Sequence, residues 1–194
     1  MIRVLLVDDH PAMRTGLAAV LAAEPGMVVL GAAASADELA PALNRTKPDV
    51  VLLDYHLPSS DGLVLCRVLK RSVPAPGVLL YSAYADASLA IPAILAGADG
   101  LLNKAAPAKD LYDAIRRVAR GDRVLPAVPR DLLDSASARL DPEDLPILGM
   151  ILDGASPADV ADTLLVEPRN VSSRLDRMIG LLRIEVPAAA GPPA

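Results

Sequence analysis

Residues 2–9 read Ile2-Arg3-Val4-Leu5-Leu6-Val7-Asp8-Asp9, and residues 50–54 repeat the form as Val50-Val51-Leu52-Leu53-Asp54: a short apolar run that stops at carboxylates. Such runs suit strands buried on both faces of a parallel sheet. Three more occur, at Met27–Ala33, Val78–Tyr81 and Gly100–Leu102. Between them lie segments with helix signals. Ser35 and Glu38 have capping-box spacing, and Pro107 sits near the start of the fifth helical segment, where a missing N–H costs least. Strand followed by helix, five times over, predicts a doubly wound α/β unit with a five-stranded parallel sheet across residues 1–120.

Residues 121–138 have weak periodicity and hold Pro126 and Pro129, so they are expected to be a linker with a short helix from Arg130 to Ala136. Residues 139–185 are expected to form a small all-helical domain. Asp141-Pro142 opens its first helix and Gly154 closes it; Pro146, past the free first turn, predicts a late helix start. Ser156-Pro157 with Asp159 caps a second helix. Pro168 starts a third, with Val171, Leu175, Met178 and Leu182 on its apolar stripe. Two short helices, a tight turn and a third helix make a helix-turn-helix. The Pro/Ala-rich residues 186–194 are expected to be disordered.

The chain has 194 residues, 53% of them hydrophobic, with four Tyr and no Phe or Trp, so the core must be built from Ala, Val, Leu and Ile. That composition excludes disorder over most of the length. The formal charge of −5 is uneven. Residues 1–120 balance twelve basic against twelve acidic side chains, 121–138 carry two against three, and 139–194 carry five against nine. The helical part is thus acidic, whereas nucleic-acid binders are usually basic where they bind. A single Cys66 permits no intramolecular disulfide and fits a reducing compartment. With no leader-like segment and no membrane-length apolar stretch, a soluble cytoplasmic protein is expected.

In an open parallel sheet, the carboxyl ends of the strands converge on the crevice where strand order reverses. Asp8 and Asp9 follow the first strand and Asp54 ends the third, so three carboxylates are expected to meet there. They repel one another unless a cation is present, and oxygen-only ligands in a wet site suit Mg²⁺. Ser82 ends the fourth strand and Lys104 follows the fifth, adding a hydroxyl and an ammonium. Taken singly, each residue is ordinary: an Asp after a strand commonly caps a helix, and a Lys is commonly on the surface. Together they have a chemistry, because Asp54 can attack phosphorus while Mg²⁺ and Lys104 neutralise charge and Ser82 donates to a phosphoryl oxygen. His10 and His56 read as polar rim residues beside Asp54.

Val7-Asp8-Asp9-His10-Pro11, Leu53-Asp54-Tyr55-His56-Leu57-Pro58 with Asp61-Gly62, Tyr81-Ser82-Ala83 and Gly97-Ala98-Asp99-Gly100-Leu101-Leu102-Asn103-Lys104 resemble the receiver domain of two-component response regulators, a flavodoxin-like fold, over residues 2–120. The resemblance implies that Asp54 is the phosphoacceptor and that Asp8 and Asp9 hold Mg²⁺ with it. It implies too that Ser82 and Lys104 respond to the phosphoryl group, that a sensor histidine kinase is the donor, and that slow self-hydrolysis is the only catalysis. Receivers often pair through their fourth and fifth helical segments, which makes a homodimer an expectation. Two residues depart from the pattern. Leu101 stands where members usually carry Tyr or Phe, leaving the half-buried Tyr84 as the nearest aromatic substitute. Pro92 falls inside the fourth helical segment and predicts a kinked or shortened helix.

Residues 140–183 resemble the LuxR-type helix-turn-helix of the NarL and FixJ class, through Leu140-Asp141-Pro142-Glu143, Gly154-Ala155-Ser156, Val160-Ala161, Val171 and Leu175. The resemblance makes residues 168–182 the recognition helix, with Arg169, Asn170, Ser173, Arg174 and Arg177 facing DNA; Arg can read guanine edges and Asn adenine. Against it stand the acidic charge, Asp176 among the outward positions, and Gly180-Leu181 where members carry a basic pair. Where members usually continue into another helix, this sequence runs into Val186-Pro187. Two functions fit: a phosphorylation-controlled transcription regulator that binds DNA, or a regulator whose helix-turn-helix contacts a protein partner. An unrelated α/β enzyme has no Gly-rich phosphate loop, Ser–His pair or Cys/His metal spacing to support it.

Overall fold

Every apolar run becomes a strand. The computed structural model describes residues 1–57 and 60–183; Pro58 and the tail expected to be disordered, residues 186–194, lie outside that range. In chain order the strands are β1 (Ile2–Val7), β2 (Met27–Ala33), β3 (Val50–Asp54), β4 (His56–Leu57), β5 (Ser60–Asp61), β6 (Gly77–Ser82) and β7 (Gly100–Asn103). Five pair in parallel in the order β2-β1-β3-β6-β7, while β4 and β5 form a small antiparallel hairpin after β3 that periodicity does not announce. The order reverses between β1 and β3. Their register, Val4 opposite Val50 through Val7 opposite Leu53, sets Asp8 and Asp54 side by side at the carboxyl edge.

The helices of this half are α1 (Pro11–Ala22), α2 (Ala36–Thr46), α3 (Gly62–Lys70), α4 (Ala87–Ala96) and α5 (Ala108–Ala119). Val4, Leu6, Leu52 and Leu79 pack with Leu17 of α1 and Ile115 of α5 on one face of the sheet. Leu5, Leu53 and Leu80 pack with α2, α3 and α4 on the other. Each fully buried Leu or Ile contributes roughly 1.5–3 kcal/mol, so aliphatic side chains suffice for this core. Ser35 caps α2 as its spacing predicts, its side chain accepting the Glu38 N–H at 3.4 Å.

Of the kinked or shortened helix expected at Pro92, the shortening does not occur: α4 continues through the proline, from Ala87 to Ala96. A proline there leaves one carbonyl, that of Ser88, without its helical donor. Leu89, Ile91 and Leu95, each at most 3% exposed, outweigh a penalty of about 3 kcal/mol.

The remaining helices are α6 (Arg130–Ala138), a 3₁₀ turn (Pro142–Asp144), α7 (Leu145–Leu152), α8 (Pro157–Leu164) and α9 (Pro168–Leu182). Pro146 has its expected effect, since the α-helix begins only at Leu145 after the 3₁₀ turn. Gly154 ends α7 at φ 98, a conformation open to glycine at little cost. Ser156 and Asp159 form a reciprocal capping box on α8. The segment between α5 and α6 lies along the free edge of β7: Val124 N–H donates to Asp99 O at 2.7 Å, and Leu101 N–H donates to Val124 O at 2.9 Å.

Candidate functional site

The carboxyl edge of the sheet gathers the predicted residues. Asp8, Asp54 and Ser82 are buried, and Lys104 reaches in from the loop after β7. The Lys104 ammonium donates to Asp8 Oδ2 at 2.6 Å and to Asp54 Oδ2 at 2.8 Å. Its backbone is held as well, because Lys104 N–H donates to Ser82 O at 2.9 Å. Ser82 Oγ accepts the Tyr84 N–H at 3.1 Å, which leaves its hydroxyl hydrogen free to turn toward the crevice. Gly62 is required just behind Asp54: a Cβ there would lie 2.5 Å from Asp54 O and 2.7 Å from Tyr55 Cα.

Burial pushes the Asp54 carboxyl above the usual carboxylate range, and the hydrogen bond and charge of Lys104 only partly offset it. For Lys104 the balance goes the other way. Burial pulls the ammonium down, but hydrogen bonds to Asp54 and Asp8 outweigh it and hold the group above its ordinary value. Burial thus dominates for the carboxylate and pairing for the cation, because Lys104 has two acidic partners and Asp54 has one basic one.

Asp8, Asp9, His10 and Asp54 present ligand atoms that all lie within 4.8 Å of one another. Asp9 Oδ1 is buried and accepts no hydrogen bond among the described residues. His10 Nδ1 approaches it at 2.8 Å, but without the alignment of a hydrogen bond. A buried carboxylate oxygen lacking a donor, beside two further carboxylates, fits a divalent cation. His10 lies on the rim with its side chain 70% exposed, and His56 is exposed, its backbone N–H donating to Asp54 Oδ1 at 3.2 Å.

One contributor is not evident from motif reading. The buried Tyr81 sends its hydroxyl across to Lys104 O at 3.2 Å. Burial pushes its phenol up, so it remains a protonated donor. Tyr81 packs on the opposite face of the sheet from Leu101. Tyr84 is half-exposed. The expected result for Tyr81→Phe is a loss of about 0.5–1.5 kcal/mol, one hydrogen bond, in urea unfolding, with slower uptake of phosphoryl groups from acetyl phosphate.

The predicted DNA-facing residues divide into two groups. Arg169, with its side chain 83% exposed, Asn170 and Ser173 lie open on α9. Arg174 and Arg177 do not project freely: Arg174 Nε donates to Asp144 Oδ1 at 2.5 Å and Arg177 Nη2 to Asp144 Oδ2 at 2.6 Å, with Asp141 3.0 Å from Arg177 Nη1. The helical period places both outward; a buried acid in the preceding 3₁₀ turn captures them. Asp176 also has partners in the other half, Arg67 on α3 and Arg71 just after it.

A parallel sheet of this order, with acids at its switch point and a lysine just after the last strand, defines a receiver. The family model for the response regulator receiver domain matches residues 4–116. Among curated proteins, the chain is 31% identical to the DNA-binding transcriptional activator DevR/DosR of Mycobacterium tuberculosis over 95% of its own length and 90% of the relative's. It is 30% identical to the transcriptional regulatory protein LiaR of Bacillus subtilis, over 95% and 92%. A solved LuxR-family two-component response regulator from Aurantimonas shares 30% identity at a TM-score of 0.61, covering 73% of this chain and 99% of that one. The chain belongs to the two-component response regulators, in the NarL/FixJ class that joins a receiver to a LuxR-type helix-turn-helix. Among the described residues, no helix is long and apolar enough to cross a membrane.

Proposed function

We propose that Asp54 accepts a phosphoryl group from a sensor histidine kinase and that α8 and α9 deliver the response by binding DNA. The observation that carries the first part is the Lys104 ammonium bridging Asp8 and Asp54. Asp8, Asp9 and Asp54 would hold Mg²⁺, which supplies charge to offset that of the transferred group. An Asp54 oxygen attacks phosphorus as the bond to the donor breaks, leaving an acyl phosphate. Lys104 balances charge on the phosphoryl oxygens, and the Ser82 hydroxyl donates to one of them. Hydrolysis of that acyl phosphate is the only turnover assigned.

The second part follows relatives whose names describe transcriptional regulation and, for one, DNA binding. On this chain the reading side is Arg169, Asn170 and Ser173, with Arg174 and Arg177 setting the helix through Asp144. A gel-shift survey of genomic fragments, with and without Mg²⁺ and beryllofluoride, tests it. Sequence-selective retention is expected, and its absence in both states at low salt would overturn the DNA reading in favour of a protein partner. Arg169→Ala should weaken retention and reduce the salt slope by about 1 if the side chain meets a phosphate, or cost about 1–3 kcal/mol at one base position if it reads an edge. The domain division, with a receiver to residue 120, a linker to 138 and effector helices to 185, belongs to this reading. So do a cytoplasmic location and a homodimer through the receiver.

A further inference from the structure

The segment Ala87–Ala96 contains no charged residue, and most of α4 is buried. A helix apolar all round is one that is covered all round. On one side α4 meets α3 and β7; on the other it meets α6, α7 and α9. Buried side chains therefore form one continuous core from the sheet through Leu89 and Ile91 to Ile147 and Ile179.

Polar contacts tie α9 to α3 beside this seam. Arg67, only 7% exposed, donates from Nε to Asp176 Oδ1 at 3.0 Å and from Nη2 to the Ser172 hydroxyl at 3.0 Å and carbonyl at 3.3 Å. Arg71 Nη2 donates to Ser172 Oγ and to Asp176 Oδ2, each at 2.7 Å. Just beyond α9, Arg183 Nε lies 2.7 Å from Asp61 Oδ2. Asp61 also caps α3, accepting the Leu63 N–H at 2.7 Å, and pairs with His56 across the hairpin that follows Asp54. Gly62 N–H closes the loop onto Tyr55 O at 3.0 Å. The end of α9 is thus linked to the loop that follows Asp54, whereas Leu101, buried on β7, has no polar tip to move.

We propose that the Asp54 loop is coupled to α9 through this clamp, formed by Arg183 on Asp61 and by Arg67 and Arg71 on Ser172 and Asp176, and that the effector helices act while seated on α4. The proposal rests on Asp54 as phosphoacceptor. Release of the effector would expose the apolar outer side of α4 to water. Release is also unnecessary, since Arg169, Asn170 and Ser173 are already open in the seated arrangement.

Amide hydrogen exchange on the full chain, with and without Mg²⁺ and beryllofluoride, tests the route. Exchange is expected to change in residues 54–71 and in the second half of α9, while α7 and α8 keep their protection. In Arg183→Gln combined with Arg71→Ala, acyl phosphate should still form and residues 54–71 should still respond, but the response of α9 should shrink to what the remaining Arg67 contacts to Ser172 and Asp176 carry. An undiminished α9 response in that variant would overturn the route, as would loss of protection throughout 145–182 in the wild type. If residues 54–71 do not respond and acetyl phosphate adds no mass, the phosphoacceptor reading fails and the route with it. Urea unfolding judges the clamp separately. Arg67→Met and Asp176→Asn should each lower the midpoint and the double variant by less than the sum of the two; strictly additive drops would show that the two do not act together.

Discussion

Asp54→Asn is expected to abolish the mass gain from acetyl phosphate and Mg²⁺ completely, and at neutral pH to make the folded protein more stable than the wild type. The first result follows from chemistry: an amide is not a nucleophile toward phosphorus. The second follows from burial, which raises the Asp54 pKa despite Lys104. The folded protein therefore holds a proton on Asp54 more tightly than the unfolded chain does. Stability from this group is greatest below the ordinary carboxylate value and declines as pH rises through the raised one. At neutral pH the ionised carboxylate is a burden that asparagine removes. The stabilisation should shrink as pH falls and Asp54 becomes neutral in the wild type too. Intact mass and urea midpoints at neutral and acid pH check both results. A retained mass gain would put the phosphoryl group elsewhere, and a lower midpoint at neutral pH would mean that the lost Lys104 contact outweighs desolvation.

Much of the receiver can be read from sequence because its determinants are local. A strand buried on both faces leaves an unbroken apolar run, and a strand end at the switch point leaves an acid directly after that run, as with Val7-Asp8 and Leu53-Asp54. Caps are equally local: Ser156 and Asp159 form their box within four residues. The features that escape sequence reading depend on partners distant in the chain. Asp176 looks like a misplaced charge on a recognition helix, yet its partner Arg67 is 109 positions away. Pro92 looks like a helix breaker because local energetics count its missing N–H and not the helices that cover α4. Arg174 and Arg177 face outward by helical period, and no periodic rule shows that Asp144, in a stretch read as an ordinary acidic cap, turns inward to meet them. One signal was present for the seating of the effector: a ten-residue helix with no charge has no side to offer to water. The Tyr81 contact left no comparable trace, since an aromatic before Ser82 fits an apolar strand whether or not its hydroxyl finds Lys104.

Asp144→Ala should be the most damaging single change outside the receiver. Asp144 is 0% exposed and takes Arg174 on one oxygen and Arg177 on the other, at 2.5 and 2.6 Å. Removing one member of a buried ion pair costs about 3–5 kcal/mol, because the partner charge stays behind. Arg177, half-exposed, can return to water, whereas Arg174 is partly buried. The expected loss is therefore near the lower end, about 3 kcal/mol, a large share of the 5–15 kcal/mol that typically holds a domain together. Asp144→Asn should cost less, since one acceptor oxygen remains for Arg174. Arg177→Ala should also cost less than Asp144→Ala, since the buried Asp144 keeps Arg174 but loses the donor on its other oxygen. Urea unfolding of the three variants orders these effects. The same series separates two roles for the arginines: if they serve DNA directly, freeing them by Asp144→Ala should strengthen retention in a gel shift at low temperature, where the variant stays folded. If they set the angle of α9 against the 3₁₀ turn, retention should fall with the loss of Asp144 even though two positive charges have been released. The buried position of Asp144 favours the second outcome, and equal midpoints for Asp144→Ala and the wild type would remove the premise of both.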